Sequence, residues 1–239
     1  MEQDQIERAL VIVAHPDDVD FGVAGTVATW TDVGIAVTYC ICTDGDAGGF
    51  DHAVPRHEIG GIRRAEQRAA AKEVGVDDVV FLGYPDGQLV PSFDLRRDLS
   101  RVIRQVRPQR VVMQSPEINW ERIAASHPDH RAAGEATLCA IYPDARNAFT
   151  HTTLMQDEGL EAWSVHDVWV MAAGDGANRW VDVTGTFDRK IAALRRHVSQ
   201  TGHMDDLEGM LRVWLGANAV HGGMADGQLA ESFRVVAIP

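Results

Sequence analysis

Two tetrapeptides, His15-Pro16-Asp17-Asp18 and His127-Pro128-Asp129-His130, hold the side chains of this sequence best suited to chemistry. Both offer imidazoles and carboxylates and neither offers a thiol, a donor set for zinc and similar divalent metals. A catalytic zinc site needs three protein ligands and one open position. His15, Asp18 and His130 supply N, O and N donors and leave Asp17, Asp129 and His127 uncommitted. His127 and His130 are three apart at the start of a predicted helix, so they can project toward one place. Bound zinc lowers the pKa of water toward ~7, and Asp17 beside that water could take its proton. His127 could then stabilise the developing oxyanion or protonate a departing amine. One His-Pro-Asp alone reads as a turn whose acid caps a helix. Two copies at predicted strand ends favour the metal site.

The elements that must position these residues can be read from periodicity. Residues 10–14 are a continuous apolar run, the pattern of a strand covered on both faces. A helix is expected over residues 22–33 and a second strand over 35–42. An alanine-rich helix follows over 63–74, stopped by Gly75, and a third strand over 79–82. Leu95, Leu99, Val102, Ile103 and Val106 mark an amphipathic helix that Pro108 ends, before a fourth strand at 110–114. Residues 115–129 read as a loop, and His130 opens another helix. The last third is less regular, with strands expected over 165–171 and 180–183 and an edge strand over 232–238. One helical stripe there is Phe187, Ile191, Leu194 and Val198, and another is Leu207, Met210, Leu211 and Trp214. Strands alternating with helices predict parallel βαβ units, a Rossmann-like α/β three-layer sandwich with a mostly parallel central sheet. Right-handed crossovers would bring the loops after strands one and four to the same sheet edge, where His15 and His127 could meet.

Bulk properties narrow the partners. With 239 residues and 45% hydrophobic content the chain can bury one large core, and no linker divides it, so one domain over residues 1–239 is expected. A net charge of −13 argues against nucleic acid or an anionic membrane as the main partner. No apolar run is long enough to span a bilayer, and the acidic start gives no targeting signal, so no membrane insertion and a cytoplasmic location are expected. Cys40, Cys42 and Cys139 form no framework, which suits a reducing compartment. Gly22 and Gly25 fall short of a dinucleotide fingerprint. Homo-oligomer formation is left open.

The segment Ala14-His15-Pro16-Asp17-Asp18 after a strand, with His127-Pro128-Asp129-His130 later, resembles the PIG-L/LmbE-like family of zinc-dependent N-deacetylases. Further landmarks of the resemblance are Thr43-Asp44-Gly45, residues 63–66, residues 83–87 and residues 190–200, so it covers most of the chain. It implies a hydrolase that removes an acetyl or larger acyl group from an N-acetylglucosamine-type amino sugar, a small-molecule substrate. His15, Asp18 and His130 match the family's metal ligands, with Zn2+ expected and Fe2+, cobalt or manganese also accepted by such donors. Asp17 matches the general base, and His127 the histidine that assists the tetrahedral intermediate, with Asp129 orienting it. Arg63 and Asp86 match positions that contact the sugar. Two departures are visible: Val19 and then Asp20 stand where the family usually continues the first motif with Glu, and Ala124-Ala125-Ser126 lacks a tyrosine found before the second motif in some thiol-sugar deacetylases. Alternative substrates of the same chemistry are a thiol-sugar conjugate and a glycosylated natural product. A metal-stabilised module that binds amino sugars without hydrolysis is the alternative of another class.

Other residues have simpler readings. Without the resemblance, Arg63 reads as a solvated helix residue paired with Glu66 or Glu58, and Asp86 as a turn aspartate. His197 reads as a packed, hydrogen-bonded helix histidine, and His203 as part of an acidic helix start. Trp120, Trp163 and Trp180 could stack on a sugar or serve as packing. Residues 45–57 read as a loop at the rim of the site.

Overall fold

In the computed structural model, which describes residues 6–120, 122–172 and 176–238, side-chain alternation sorts each strand between two apolar layers. The strands are β1 (Arg8–Val13), β2 (Ala36–Thr43), β3 (Asp78–Tyr84), β4 (Arg110–Met113), β5 (Asp167–Met171), β6 (Arg179–Asp182) and β7 (Ala230–Ala237). They form a seven-stranded sheet in the order β3-β2-β1-β4-β5-β7-β6. The first five are mutually parallel, and β7 runs antiparallel to both β5 and β6. Ala9, Val11 and Val13 of β1 point into one layer, Leu10, Ile12 and Ala14 into the other, as a period of two requires.

The helices are α1 (Asp18–Gly22), α2 (Ala24–Asp32), α3 (Arg56–Glu73), α4 (Phe93–Val106), α5 (Pro128–Cys139), α6 (Thr152–Gln156), α7 (Phe187–Arg196), α8 (Val198–Thr201) and α9 (Leu207–His221). Core residues of α2 and α3, with Ala193 of α7, share the first layer and those of α4 and α5 the second, while Phe187, Ile191 and Leu194 of α7 pack with α9 in a third cluster. The chain therefore leaves β1 toward one face of the sheet and β4 toward the other. Adjacent parallel strands whose connections diverge in this way open a crevice at their carboxyl ends. The two tetrapeptides lie there.

The expected α/β sandwich is present, with local corrections. The helix expected over 22–33 is two helices, broken at Val23, whose backbone (φ −144°, ψ 2°) is not helical. The alanine-rich helix begins at Arg56 rather than 63, which shortens the loop after β2. Gly60-Gly61 in its first turns, poor helix formers, hid that start. The C-terminal strand is internal to the sheet, with Ala230 to Phe233 buried, and β6 takes the edge. Val198 is exposed beyond the end of α7, and the buried stripe of α9 runs through Leu207, Leu211, Leu215 and Ala219 rather than Met210.

Candidate active site

Each tetrapeptide opens a helix, and this fixes its side chains. The first begins one residue past β1, where Ala14 is held on both sides: its N–H donates to Gln114 Oε1 at 2.9 Å, and its carbonyl accepts from the Thr43 backbone N–H at 2.8 Å. Asp17 is the N-cap of α1, in the left-handed region at φ 84°, and its carboxylate is not used as a cap. The second tetrapeptide is the cap and first turn of α5. His127 is the N-cap, its Nδ1 accepting from Asp129 N at 3.2 Å, and Pro128 takes the first helical position, where a missing N–H is harmless. Gly134 lets α5 sit against the end of β4, since a Cβ there would lie 2.5 Å from the Gln114 carbonyl oxygen.

The residues predicted to hold a metal come together. Asp18 bridges the two motifs: Oδ2 lies 3.3 Å from His15 Nδ1 and Oδ1 lies 3.1 Å from His130 Nε2. His127 joins them, its ring 4.9 Å from that of His15 and 5.2 Å from that of His130. His15 is buried, His130 half-buried, and His127 faces solvent at the mouth. Among the described residues, nitrogens of His15, His127 and His130 lie within 4.8 Å of one another, as do donors of His15, Asp86 and Asp129.

The two nitrogens of His15 separate these groups. Nε2 faces Asp86 Oδ1 at 3.1 Å and Asp129 Oδ2 at 3.3 Å, so it carries the proton and donates to them. Nδ1, on the Asp18 side, offers a lone pair once the ring loses its second proton, and carboxylates behind a histidine of this kind raise its basicity as a ligand. Asp129 was expected to orient His127; its carboxylate instead accepts from Gly87 N at 2.7 Å and Leu89 N at 3.2 Å while facing His15, and it is its main chain that meets His127. What orients His127 is the backbone N–H of Asp129. That bond leaves the neutral His127 ring with its N–H on Nε2.

The electrostatics are those of a cluster short of positive charge. Burial lowers the pKa of His15, but the hydrogen bond and charge of Asp18, then those of Asp86, outweigh it and raise it to about 10. Burial also opposes ionisation of Asp18, yet His130 and His15 hold it well below the ordinary carboxylate range. A cluster that stabilises a proton on a buried imidazole also suits a divalent cation, and its nitrogen and carboxylate donors are of the kind that bind one. Burial raises Asp17 to about 7, against the opposing charge of Arg63, which is where a base for neutral pH should lie. Burial and the neighbouring His15 and His130 lower His127, so it is a neutral hydrogen-bond donor near pH 7.

Arg63 is buried, not a solvated helix residue. Its guanidinium donates to Pro16 O at 2.6 Å, Gly45 O at 3.0 Å and Asp17 Oδ2 at 3.2 Å. Gly45, at φ 64°, lies so close to that guanidinium that any Cβ would collide with it. Glu66 instead serves Ser199, at 2.8 Å to its N–H and 2.6 Å to its hydroxyl. Asp86 is also buried, with Oδ2 accepting from Ala47 N at 3.1 Å. The residue the spacing did not single out is Gln67, one turn beyond Arg63 on the same face of α3, whose Oε1 accepts from Asp17 N at 2.8 Å. The helical interval from Arg63 was the available signal.

His197 is the packed histidine expected, fully buried and 2.8 Å from Asp20 Oδ2. His203 lies against the ring of Phe50, centroids 3.7 Å apart, and belongs to no metal cluster among the described residues. Trp163 donates to Pro108 O and Trp180 packs on Gly222, so both are structural, whereas Trp120 is 81% exposed on the loop before His127. Beside the histidines, but not including them, is a polar cleft of about 780 Å³ lined by Asp44, Asp46, Arg56, His57, Arg64 and Tyr84 among others.

Comparison with known proteins gives concordant matches. The family model described as PIG-L, GlcNAc-PI de-N-acetylase, matches residues 10–141, which includes both tetrapeptides. The diacetylchitobiose deacetylase of Thermococcus kodakarensis is 32% identical over 232 residues, 97% of this chain and 84% of that protein. A probable N-acetyl-alpha-D-glucosaminyl L-malate deacetylase 2 of Bacillus subtilis is 32% identical over 86% of each chain. Among solved structures, the N,N'-diacetylchitobiose deacetylase of Pyrococcus horikoshii, complexed with an inhibitor, superposes with a TM-score of 0.87 at 30% identity, over 98% of this chain and 85% of that one.

Proposed function

Since this chain belongs to the PIG-L family of de-N-acetylases, we propose that it hydrolyses the acetamido group of an N-acetylglucosamine-type sugar, releasing acetate and the free amine. The observation that carries this reading is Asp18 bridging His15 and His130, with His127 against both rings and Asp17 next to Asp18 in the chain. His15 through Nδ1, Asp18 and His130 would hold a divalent metal, with zinc the first candidate for these donors. Such a metal supplies Lewis acidity and lowers the pKa of water. Asp17, raised toward neutrality by burial, takes the proton of the attacking water. His127 directs its Nε2–H at the developing oxyanion from the mouth of the site, and its neutral state makes it a hydrogen-bond donor first.

Arg63 and Asp86 act in this scheme through the groups they hold, Arg63 on Asp17 and Asp86 on His15. Both are nearly buried, so little of either side chain is open to a sugar. The polar cleft beyond Asp46, whose Oδ1 accepts from Asp86 N at 3.0 Å, suits a second hydroxylated ring or another polar aglycone. A single domain is supported by the seating of β7 between β5 and β6, which ties the C-terminal third to the same sheet. The Asp17 and His127 pair favours catalysis over mere sugar binding, which requires neither a base nor an oxyanion partner.

The test uses zinc-loaded protein with N-acetylglucosamine and N,N'-diacetylchitobiose, following free amine. The wild type should release amine, and Asp17→Asn should keep stoichiometric metal while losing about 10²–10⁴-fold in kcat. Wild-type turnover by Asp17→Asn would remove Asp17 from the role of base. Metal-loaded wild type inert on a panel of N-acetylated amino sugars would count against deacetylation altogether.

A further inference from the structure

We propose that Gln67 is a positioning residue for the base, and that Asp20 and His197 hold Gln67 in the orientation this requires; the inference rests on Asp17 being that base. Asp17 has a left-handed backbone, φ 84° and ψ −26°, a region that disfavours a residue with a Cβ. Its direction into the site depends on that backbone, since its carboxylate makes no capping bond to α1. Its carbonyl is occupied by the helix, accepting from Asp20 N at 2.9 Å and Phe21 N at 3.0 Å. The remaining main-chain group, its N–H, donates to Gln67 Oε1 at 2.8 Å. Arg63 holds the same residue by its carboxylate, so α3 grips Asp17 at two points, four residues apart on one face.

The orientation of the Gln67 amide is dictated from behind. Nε2 donates to Asp20 Oδ2 at 2.8 Å, and the same oxygen lies 2.8 Å from His197 Nε2. A flipped amide would set its NH2 against the N–H of Asp17 and its oxygen against a carboxylate, losing both bonds. Gln67, Asp20 and His197 are each fully buried. Apolar residues of similar volume would fill such a position at less cost in desolvation, so a polar trio retained there calls for a role beyond packing. Its side chains reach the base through the bond from Gln67 to the N–H of Asp17.

The experiment compares Gln67→Met and Gln67→Asn with Asp17→Asn, all zinc-loaded, on N,N'-diacetylchitobiose. Metal content is measured on the same samples, and hydrogen exchange is followed in a peptide spanning residues 15–18. Gln67→Met keeps volume and removes both bonds; Gln67→Asn keeps an amide one methylene too short to reach Asp17. Either should lower kcat about 10–100-fold, the scale of a misplacement near 1 Å, with KM within about threefold of wild type. Metal should stay stoichiometric while exchange at Asp17 accelerates. Wild-type kcat in either folded variant, or a loss confined to KM or to metal content, overturns the proposal. If Asp17→Asn itself turns over normally, the base assignment fails and this inference with it. If Asp17→Asn is inactive while a Gln67 variant is normal, only the positioning role fails.

Discussion

His15 joins the site's structure to its chemistry. Its Nε2 faces two carboxylates and its Nδ1 a third, and in the metal-free protein this arrangement raises its pKa from 6.5 to about 10. The folded-state pKa lies above the unfolded one, so the favourable contribution to folding is complete below pH 6.5 and disappears as pH rises through about 10. A metal on Nδ1 must displace that proton. The apparent metal affinity of the apoprotein should therefore rise with pH, about tenfold per unit between pH 7 and 9, and level off near 10. Competition against a chromogenic chelator across that range measures it, and a flat profile would mean that His15 does not exchange a proton for metal. The neighbouring Cys40 and Cys42 take no part, since burial raises Cys40 to about 12 and lifts Cys42 well above the ordinary thiol range.

At the scale of elements, three helices deliver the site, and each does so through its first turns or one face. The second tetrapeptide is both the cap of α5 and its first turn, which places His127 and His130 without any long-range contact. The seat of α5 is long-range, however, and depends on Gly134 against the Gln114 carbonyl. Gly134→Val should lift the helix from β4, with a loss of about 1–3 kcal/mol from overpacking. Metal affinity should fall with it, because His130 rides on that helix while His15 and Asp18 do not. Urea unfolding and metal titration read the two effects, and unchanged metal affinity in a folded Gly134→Val would show that the helix seat does not set the ligand geometry. Among the described residues no helix is long and apolar enough to cross a membrane.

Across the whole molecule, the far end of the sheet is tied to the first tetrapeptide by one buried cation. Lys190 of α7 donates to Glu231 of β7 at 2.6 Å and to the carbonyls of Asp20 and Phe21 in α1 at 2.9 and 2.7 Å. Glu231 also accepts from the N–H groups of Gly25 and Thr26, at 3.0 and 2.7 Å, at the start of α2. Lys190→Met would strand a carboxylate and two carbonyls in the interior, and should cost about 3–5 kcal/mol in chemical denaturation. A loss below 1 kcal/mol would mean that solvent reaches Glu231 once the lysine is gone.

How much of this was legible in the sequence follows from the range of the interactions. The β1 run, the amphipathic stripe of α4 and the paired tetrapeptides are local patterns, with periods and spacings that hold in any context. They were sufficient for a parallel α/β sheet and for a site between the ends of β1 and β4. The hold of Arg63 on Pro16 and Asp17, the turn of the Asp129 carboxylate toward His15, and the grip of Gln67 on Asp17 each join residues 46 to 114 positions apart. No periodicity encodes such pairs. Position within the sheet likewise lay outside local pattern, which is why β7 read as an edge strand. By itself the sequence determined the two tetrapeptides, their donor types and the fold that makes them converge. Only the tertiary structure decided which carboxylate faces which nitrogen, because that depends on three loops meeting at one end of the sheet.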